Sequence, residues 1–213
     1  MHIPDPETII FRLRSCYDLS KSKDEFLHFT NPYEILIATI LSAQTTDRCV
    51  NQVTKVLFSR YPDCASLARA EVEDLEHIIR PTGFFHTKAR KIKDACLVLM
   101  SEYQGRVPDQ MDDLIRLPGV GRKTANIVLN HAFSKTSGIA VDTHVKRLSM
   151  RLGLTNHHDP NHIERDLMQL FSPEVWAEIN GLFILHGRKI CTARKPACER
   201  CILADLCKYA SLL

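Results

Sequence analysis

Four of the eight cysteines in this chain crowd into the stretch 191–207, in the pattern Cys191-x6-Cys198-x2-Cys201-x5-Cys207. So short a segment has too few apolar side chains to fold unaided. Four thiolates meet at one centre only if the chain wraps around it, and the ligand bonds then supply much of its stability. Tetrahedral zinc favours two close-spaced pairs, and only Cys198-x2-Cys201 is such a pair. A cubane iron–sulfur cluster is larger and suits a single enclosing loop. Spacing therefore ranks a cluster ahead of zinc, and both ahead of unliganded thiols. Disulfides are the weaker explanation, because Met1-His2-Ile3-Pro4-Asp5 has neither the basic leader nor the apolar core of a signal peptide. The expected location is cytoplasmic. The other four cysteines, Cys16, Cys49, Cys64 and Cys96, are scattered.

The rest of the chain must supply the core. With 45% hydrophobic and 25% charged residues it collapses and buries, so disorder is excluded. The 213 residues allow one large domain or two small ones. No apolar run approaches the roughly 18 residues of a membrane span. The net charge of +3 permits nucleic-acid binding without demanding it. Its distribution says more: Arg188, Lys189, Arg194, Lys195, Arg200 and Lys208 face only Glu199 and Asp205 around the cysteines. Such a local excess can meet phosphates, or can simply be solvated.

Almost everything reads as helix, with no period-two alternation and no Asn-Gly hairpin between apolar runs. Asn31-Pro32-Tyr33-Glu34 is a helix start, with Asn31 as cap and Pro32 in the first turn. That helix runs to about Gln44. Asp47 can cap the next, which carries Val50, Val53, Val56 and Leu57 on one face. A stripe from Val72 to Ile79 follows, then a long helix bearing Ile92, Ala95, Cys96, Leu99 and Met100. Further helices are expected near 111–116, 122–133, 143–152, 162–170 and 174–185.

Between two of these lies Leu117-Pro118-Gly119-Val120-Gly121-Arg122-Lys123. Two glycines around one apolar residue permit a sharp turn and close backbone approach. The N–H groups opening the next helix then form a small anion nest, whose natural guest is phosphate. Lys123 falls in the first turn of that helix beside Arg122. The positive helix end and the neighbouring cation both work against its ammonium form, so it is a candidate amine nucleophile, although an ordinary phosphate-binding lysine is the more common occupant of such a place. Asp142 ends the apolar run Ile139-Ala140-Val141 at another helix start. It is a natural N-cap, and a capping carboxylate can also steady positive charge developing on a sugar. His157-His158-Asp159 reads as a polar loop, and His186 can either face a partner or pack.

Taken together these segments resemble endonuclease III, within the helix-hairpin-helix, Gly/Pro-rich loop and Asp superfamily of DNA glycosylases. The resemblance lies in Leu117–Ala125, in Val141-Asp142-Thr143-His144 and in the four-cysteine tail. Leu41-Ser42-Ala43-Gln44-Thr45-Thr46-Asp47 and Ile184-Leu185-His186-Gly187-Arg188 match as well. It spans about Pro32 to Lys208.

The resemblance implies an all-α fold of two helical lobes flanking a DNA-binding cleft. One lobe is a helical barrel over residues 25–135 that holds the helix-hairpin-helix. The other is discontinuous, 1–24 plus 136–213, with a [4Fe–4S] cluster loop at 188–208 held by Cys191, Cys198, Cys201 and Cys207. It implies a monomeric bifunctional DNA glycosylase and AP lyase of base excision repair. The substrate would be duplex DNA carrying an oxidised pyrimidine or an abasic site, with the damaged nucleotide flipped out of the stack. Lys123 would form a Schiff base with the sugar, and β-elimination would cut 3′ to the site, assisted by Asp142. Gly119, Val120, Gly121, Arg122 and His144 would meet DNA. Gln44 would fill the gap left by the flipped nucleotide. Phe84 would wedge beside the opposite strand, although Gly83-Phe84-Phe85 departs from the family's frequent Gly-Leu-Tyr. Branches that only remove the base typically lack the lysine, and the adenine-excising branch carries a further C-terminal domain for which Leu213 leaves no room. The alternatives are a non-catalytic iron–sulfur DNA-binding module and a monofunctional mismatch glycosylase.

Overall fold

The computed structural model describes residues 4–212, the Lys23 side chain excepted, and contains no strand among them. Its α-helices, in chain order, are α1 (Pro6–Cys16), α2 (Pro32–Leu41), α3 (Asp47–Arg60), α4 (Cys64–Ala68), α5 (Val72–Ile79) and α6 (Phe85–Glu102). After these come α7 (Met111–Leu114), α8 (Arg122–Phe133), α9 (Thr143–Leu152), α10 (Pro160–Leu170) and α11 (Trp176–Lys189). The chain divides into two compact units. One combines the segment up to Ser22 with everything from Gly138 onward, and the other is Lys23–Ser137.

In Lys23–Ser137 the organising element is α2. Asn31 caps it by accepting from the Glu34 N–H at 3.0 Å, and Pro32 opens it. Apart from Glu34, every residue from Tyr33 to Leu41 is buried, as expected of a helix apolar all round. Helices α3, α6 and α8 pack around it, and α4 and α5 pack on α6. Three sequence expectations fail here. Thr46, not Asp47, caps α3, its hydroxyl accepting from the Cys49 N–H. Val56, placed on the buried face by periodicity, is 56% exposed, because α3 turns only the Val50–Val53–Leu57 side to the core. Met100 likewise faces out, next to the end of α6.

The second unit is built on α9 and α11, with α1 against α11 and α10 against α9. Asp5 caps α1 through the Thr8 N–H at 2.9 Å, and Ile9, Ile10 and Leu13 join Val145, Leu148, Ile163, Leu182 and Phe183 in one core. Trp176 donates its indole N–H to Phe171 O at 2.8 Å. The cysteine tail adds a single buried apolar residue, Leu203. It is instead tied back by Arg12, which donates to Ile202 O at 2.8 Å and pairs with Asp205.

Candidate active site

The hairpin before α8 is shaped by its glycines. Val120 N–H closes the turn on Leu117 O at 3.0 Å, and both side chains are buried. Gly119 has φ +83°, and a Cβ there would stand 3.2 Å from two carbons of Lys91 and 3.3 Å from Ile40. The backbone thus lies directly on α2 and α6, which leaves no space for a side chain. Gly121 is the N-cap of α8 and offers no side chain to the helix. The first N–H to close a helical turn is that of Ala125, on Gly121 O at 2.9 Å, so the turn before it presents its N–H groups outward. Arg122 and Lys123 are exposed. Among the described residues the Lys123 side chain makes no hydrogen bond or ion pair.

Two further loops of the same unit carry the other expected contacts. Gln44, just past α2, is exposed with φ +55°. Phe84, just before α6, is 68% exposed with φ +48°. Both are non-glycine residues in the left-handed region, at about 1–2 kcal/mol each. The loops are joined beneath these tips. Thr45 Oγ1 donates to Thr82 O at 2.5 Å, and Cys49 Sγ approaches Pro81 O at 3.4 Å. Nothing in the local sequence announces the left-handed tips beyond Gly83, itself at φ +67°.

Asp142 and His144 belong to the other unit. Asp142 is the N-cap of α9, one carboxylate oxygen accepting from the N–H groups of His144 and Val145, each at 2.8 Å. That leaves its second oxygen outside the cap. His144 Nδ1 stands 3.0 Å from Arg147 Nη2, a group that only donates, so this ring nitrogen is the unprotonated one. Arg147 also donates to Gly187 O at 2.9 Å and Cys191 O at 3.0 Å. A Cβ at Gly187 would lie 2.6 Å from His144 Nδ1, which makes this glycine the condition for α9 and α11 to approach.

Polar contacts organise the cysteine loop, and they come from Arg151, which sequence reasoning did not single out, and from His186, which it left open between facing a partner and packing. Arg151 donates to Cys191 Sγ at 3.2 Å, Thr192 O at 2.8 Å and Ala193 O at 2.9 Å, and lies 4.6 Å over the Tyr209 ring. His186 is 2% exposed, with Nδ1 3.0 Å from Tyr17 Oη and Nε2 3.4 Å from Cys201 Sγ. Burial holds its pKa down at about 4 and pushes the Tyr17 phenol up to about 12. Buried between a phenol and the Cys201 sulfur, the imidazole packs inside the unit rather than facing a partner. The only local signal for Arg151 was its place on a helix packed next to the tail. His157, in the polar loop, pairs with Asp166 at 2.8 Å.

The donor set fits an iron–sulfur centre. Burial raises the thiol pKa of Cys198 and of Cys201, and the charges of the neighbouring cysteines raise it further. Four thiolates crowded this way repel one another until a cationic centre compensates them. Beside the loop an open hollow of about 740 Å³ is lined by Lys146, Arg147, Arg151 and Lys208 together with Met150, Tyr209 and Leu212, so that basic residues rim an otherwise apolar surface.

Residues 37–173 match the model of the HhH-GPD superfamily base excision DNA repair protein, and 191–207 match the iron–sulfur binding domain of endonuclease III. The second match decides between the centres that spacing left open, in favour of the [4Fe–4S] cluster over zinc. Endonuclease III of Synechocystis sp. is 52% identical over 184 residues, covering 86% of this chain and 84% of that one. Endonuclease III of Escherichia coli is 40% identical over 183 residues, 86% of each chain. Among solved structures, a trapped endonuclease III–DNA covalent intermediate is 40% identical, with a TM-score of 0.86 over 97% of each chain. A thermostable thymine-DNA glycosylase, at 24% identity and a TM-score of 0.84, shares the fold.

Proposed function

The chain belongs to the endonuclease III family, a DNA-binding glycosylase and AP lyase of base excision repair with a [4Fe–4S] cluster, and from that premise we propose which residues do the chemistry and on which lesions. Lys123 Nζ attacks C1′ of the damaged nucleotide, the C1′–N bond breaks, and the base leaves with the bonding pair. Opening of the sugar gives a Schiff base between Lys123 and C1′. Loss of a C2′ proton then expels the 3′ phosphate by β-elimination, and hydrolysis frees the amine. The observation that carries this assignment is the exposed first-turn amine, engaged by nothing else and standing directly behind an uncapped helix end. The covalent intermediate with DNA named for the relative at 40% identity supports the same chemistry.

Around that step the other residues take positional roles. Gly119, Val120 and Gly121 hold a backbone phosphate on outward N–H groups at the positive end of α8, which fixes register without reading sequence. Arg122 and His144 add DNA contacts. Asp142, besides capping α9, activates Lys123 and steadies the cationic sugar. Gln44 fills the gap in the stack and Phe84 wedges beside the opposite strand. The substrate is duplex DNA with an oxidised or ring-saturated pyrimidine, thymine glycol for instance, or an abasic site, with the nucleotide flipped out. The enzyme acts as a monomer on the chromosome in the cytoplasm. The cluster is structural: it orders a loop whose basic neighbours meet phosphates, and binding weakens steeply with salt.

Lys123→Gln tests the assignment on duplexes with one thymine glycol or one abasic site. Loss of cutting on both, with DNA binding retained, is the expected result. Full strand cleavage by the variant would remove Lys123 from the reaction. Uncut abasic product from wild type would favour the monofunctional reading.

A further inference from the structure

Lys88 is 4% exposed, on the first turns of α6. Its Nζ donates to Thr45 Oγ1 at 2.8 Å and to Thr82 O at 2.8 Å. Thr45 Oγ1 in turn donates to Thr82 O. The three groups close a ring that spans two loops otherwise far apart in sequence. One loop ends in Gln44, the residue before Thr45, and the other in Phe84, two residues after Thr82. Both tips are exposed and held in left-handed backbone. Among the described residues no carboxylate pairs with the ammonium, and burial lowers its pKa. A buried cation with neutral partners is a cost to folding. Stability therefore does not account for its presence, whereas a rigid joint between the two loops does.

We infer that Lys88 is a positioning residue that fixes the Gln44 and Phe84 tips at a set separation, so that they enter the two strands of a damaged duplex as one device. This rests on the reading that both tips enter DNA. A flexible pair would pay ordering entropy at each encounter, whereas a braced pair has paid it in folding. The neutral partners matter as well. A hydroxyl and a carbonyl take two ammonium protons in defined directions without adding negative charge next to an approaching phosphate.

Removing the ammonium should not unfold the protein. In Lys88→Met the Thr45–Thr82 bond survives, so no buried acceptor is orphaned. The test is single-turnover base release from a thymine-glycol duplex with 2-aminopurine opposite the lesion, for wild type, Lys88→Met, Gln44→Ala, Phe84→Ala and the two doubles with Lys88→Met. Lys88→Met is expected to melt at or above the wild-type temperature and to bind undamaged duplex equally. Its base release should fall roughly 10- to 100-fold, the usual effect of a small misplacement. The 2-aminopurine signal of the unstacked opposite base should fall with it. Each tip variant should cost much less in the Lys88→Met background than alone. Thr45→Val, which breaks the ring from the other side, should behave as Lys88→Met does. Wild-type release by Lys88→Met, or losses that simply multiply with the tip variants, would overturn the brace. If Gln44→Ala and Phe84→Ala alone leave release unchanged, the tip reading fails first and the inference falls with it.

Discussion

The two units hold their functional groups by opposite means. In Lys23–Ser137 the hairpin and the two tips stand on a hydrophobic core, with α2 buried along nearly its whole length. Each is shaped by backbone conformation: Gly119, Gln44 and Phe84 all have positive φ. In the other unit the cysteine loop has a small apolar anchor, Leu203 with Ile202 and Leu206 packed beside it. Arginines hold it: Arg12 from α1, and Arg147 and Arg151 from α9, each donating to loop carbonyls. One unit stores precision in packing, so that its chemistry-bearing side chains can stay free. The other stores it in charge-assisted hydrogen bonds around a centre that must neutralise four sulfurs. Damage to the first should change rates before stability, and damage to the second should change stability and cluster retention before rates.

Asp142→Asn gives the largest effect and probes the one place in the cluster-bearing unit where rate is expected to respond. An asparagine oxygen still caps α9, so the melting temperature should hold. Base release should fall about 10²- to 10³-fold as the charge is lost. An unchanged rate would reduce Asp142 to a cap. Arg151→Met should cost about 3 kcal/mol from its charge-assisted bonds. The cluster's visible absorbance should then bleach faster under oxidant, while amide exchange in Lys23–Ser137 is unaltered. Uniform loss of protection in both units would break the comparison. Gly187→Ala forces a methyl to 2.6 Å from His144 Nδ1 and 2.8 Å from Arg147 Nη2. The cost should be about 1–3 kcal/mol by thermal melting, with unchanged Cys loop absorbance contradicting the role given to Arg147. Thr46→Ala removes the cap of α3 for about 1 kcal/mol, and base release measured alongside shows whether the Gln44 loop depends on that cap.

What was legible in the chain follows from the range of each interaction. Helix α2 was readable because its start is local, an Asn cap, a Pro and an apolar run. The hairpin was readable because Gly119 has to be glycine, both for its φ and for the contact of its backbone with Lys91 and Ile40. The all-helical class came from periodicity over long windows. One short element was lost: α4 spans only Cys64–Ala68, although its Asp63–Ser66 capping box was there to be seen. Helix α1 went unmarked despite Asp5 and Pro6. Val56 shows that periodicity finds a face without finding its edges. In the site, Lys123 and the cysteines stand in motifs, whereas Lys88, Arg151 and His186 act across about forty, forty and fifteen residues. No local pattern carries such contacts, since they exist only once the helices have packed.

The proposed chemistry turns on one amine in the well-packed unit. Borohydride reduction during reaction with a thymine-glycol duplex, followed by peptide mapping of the adduct, tests it most directly. The expected result is a covalent DNA–protein adduct at Lys123, absent from Lys123→Ala protein that is folded and cluster-loaded. An adduct mapped to any other amine, or one of equal yield from the variant, would contradict it.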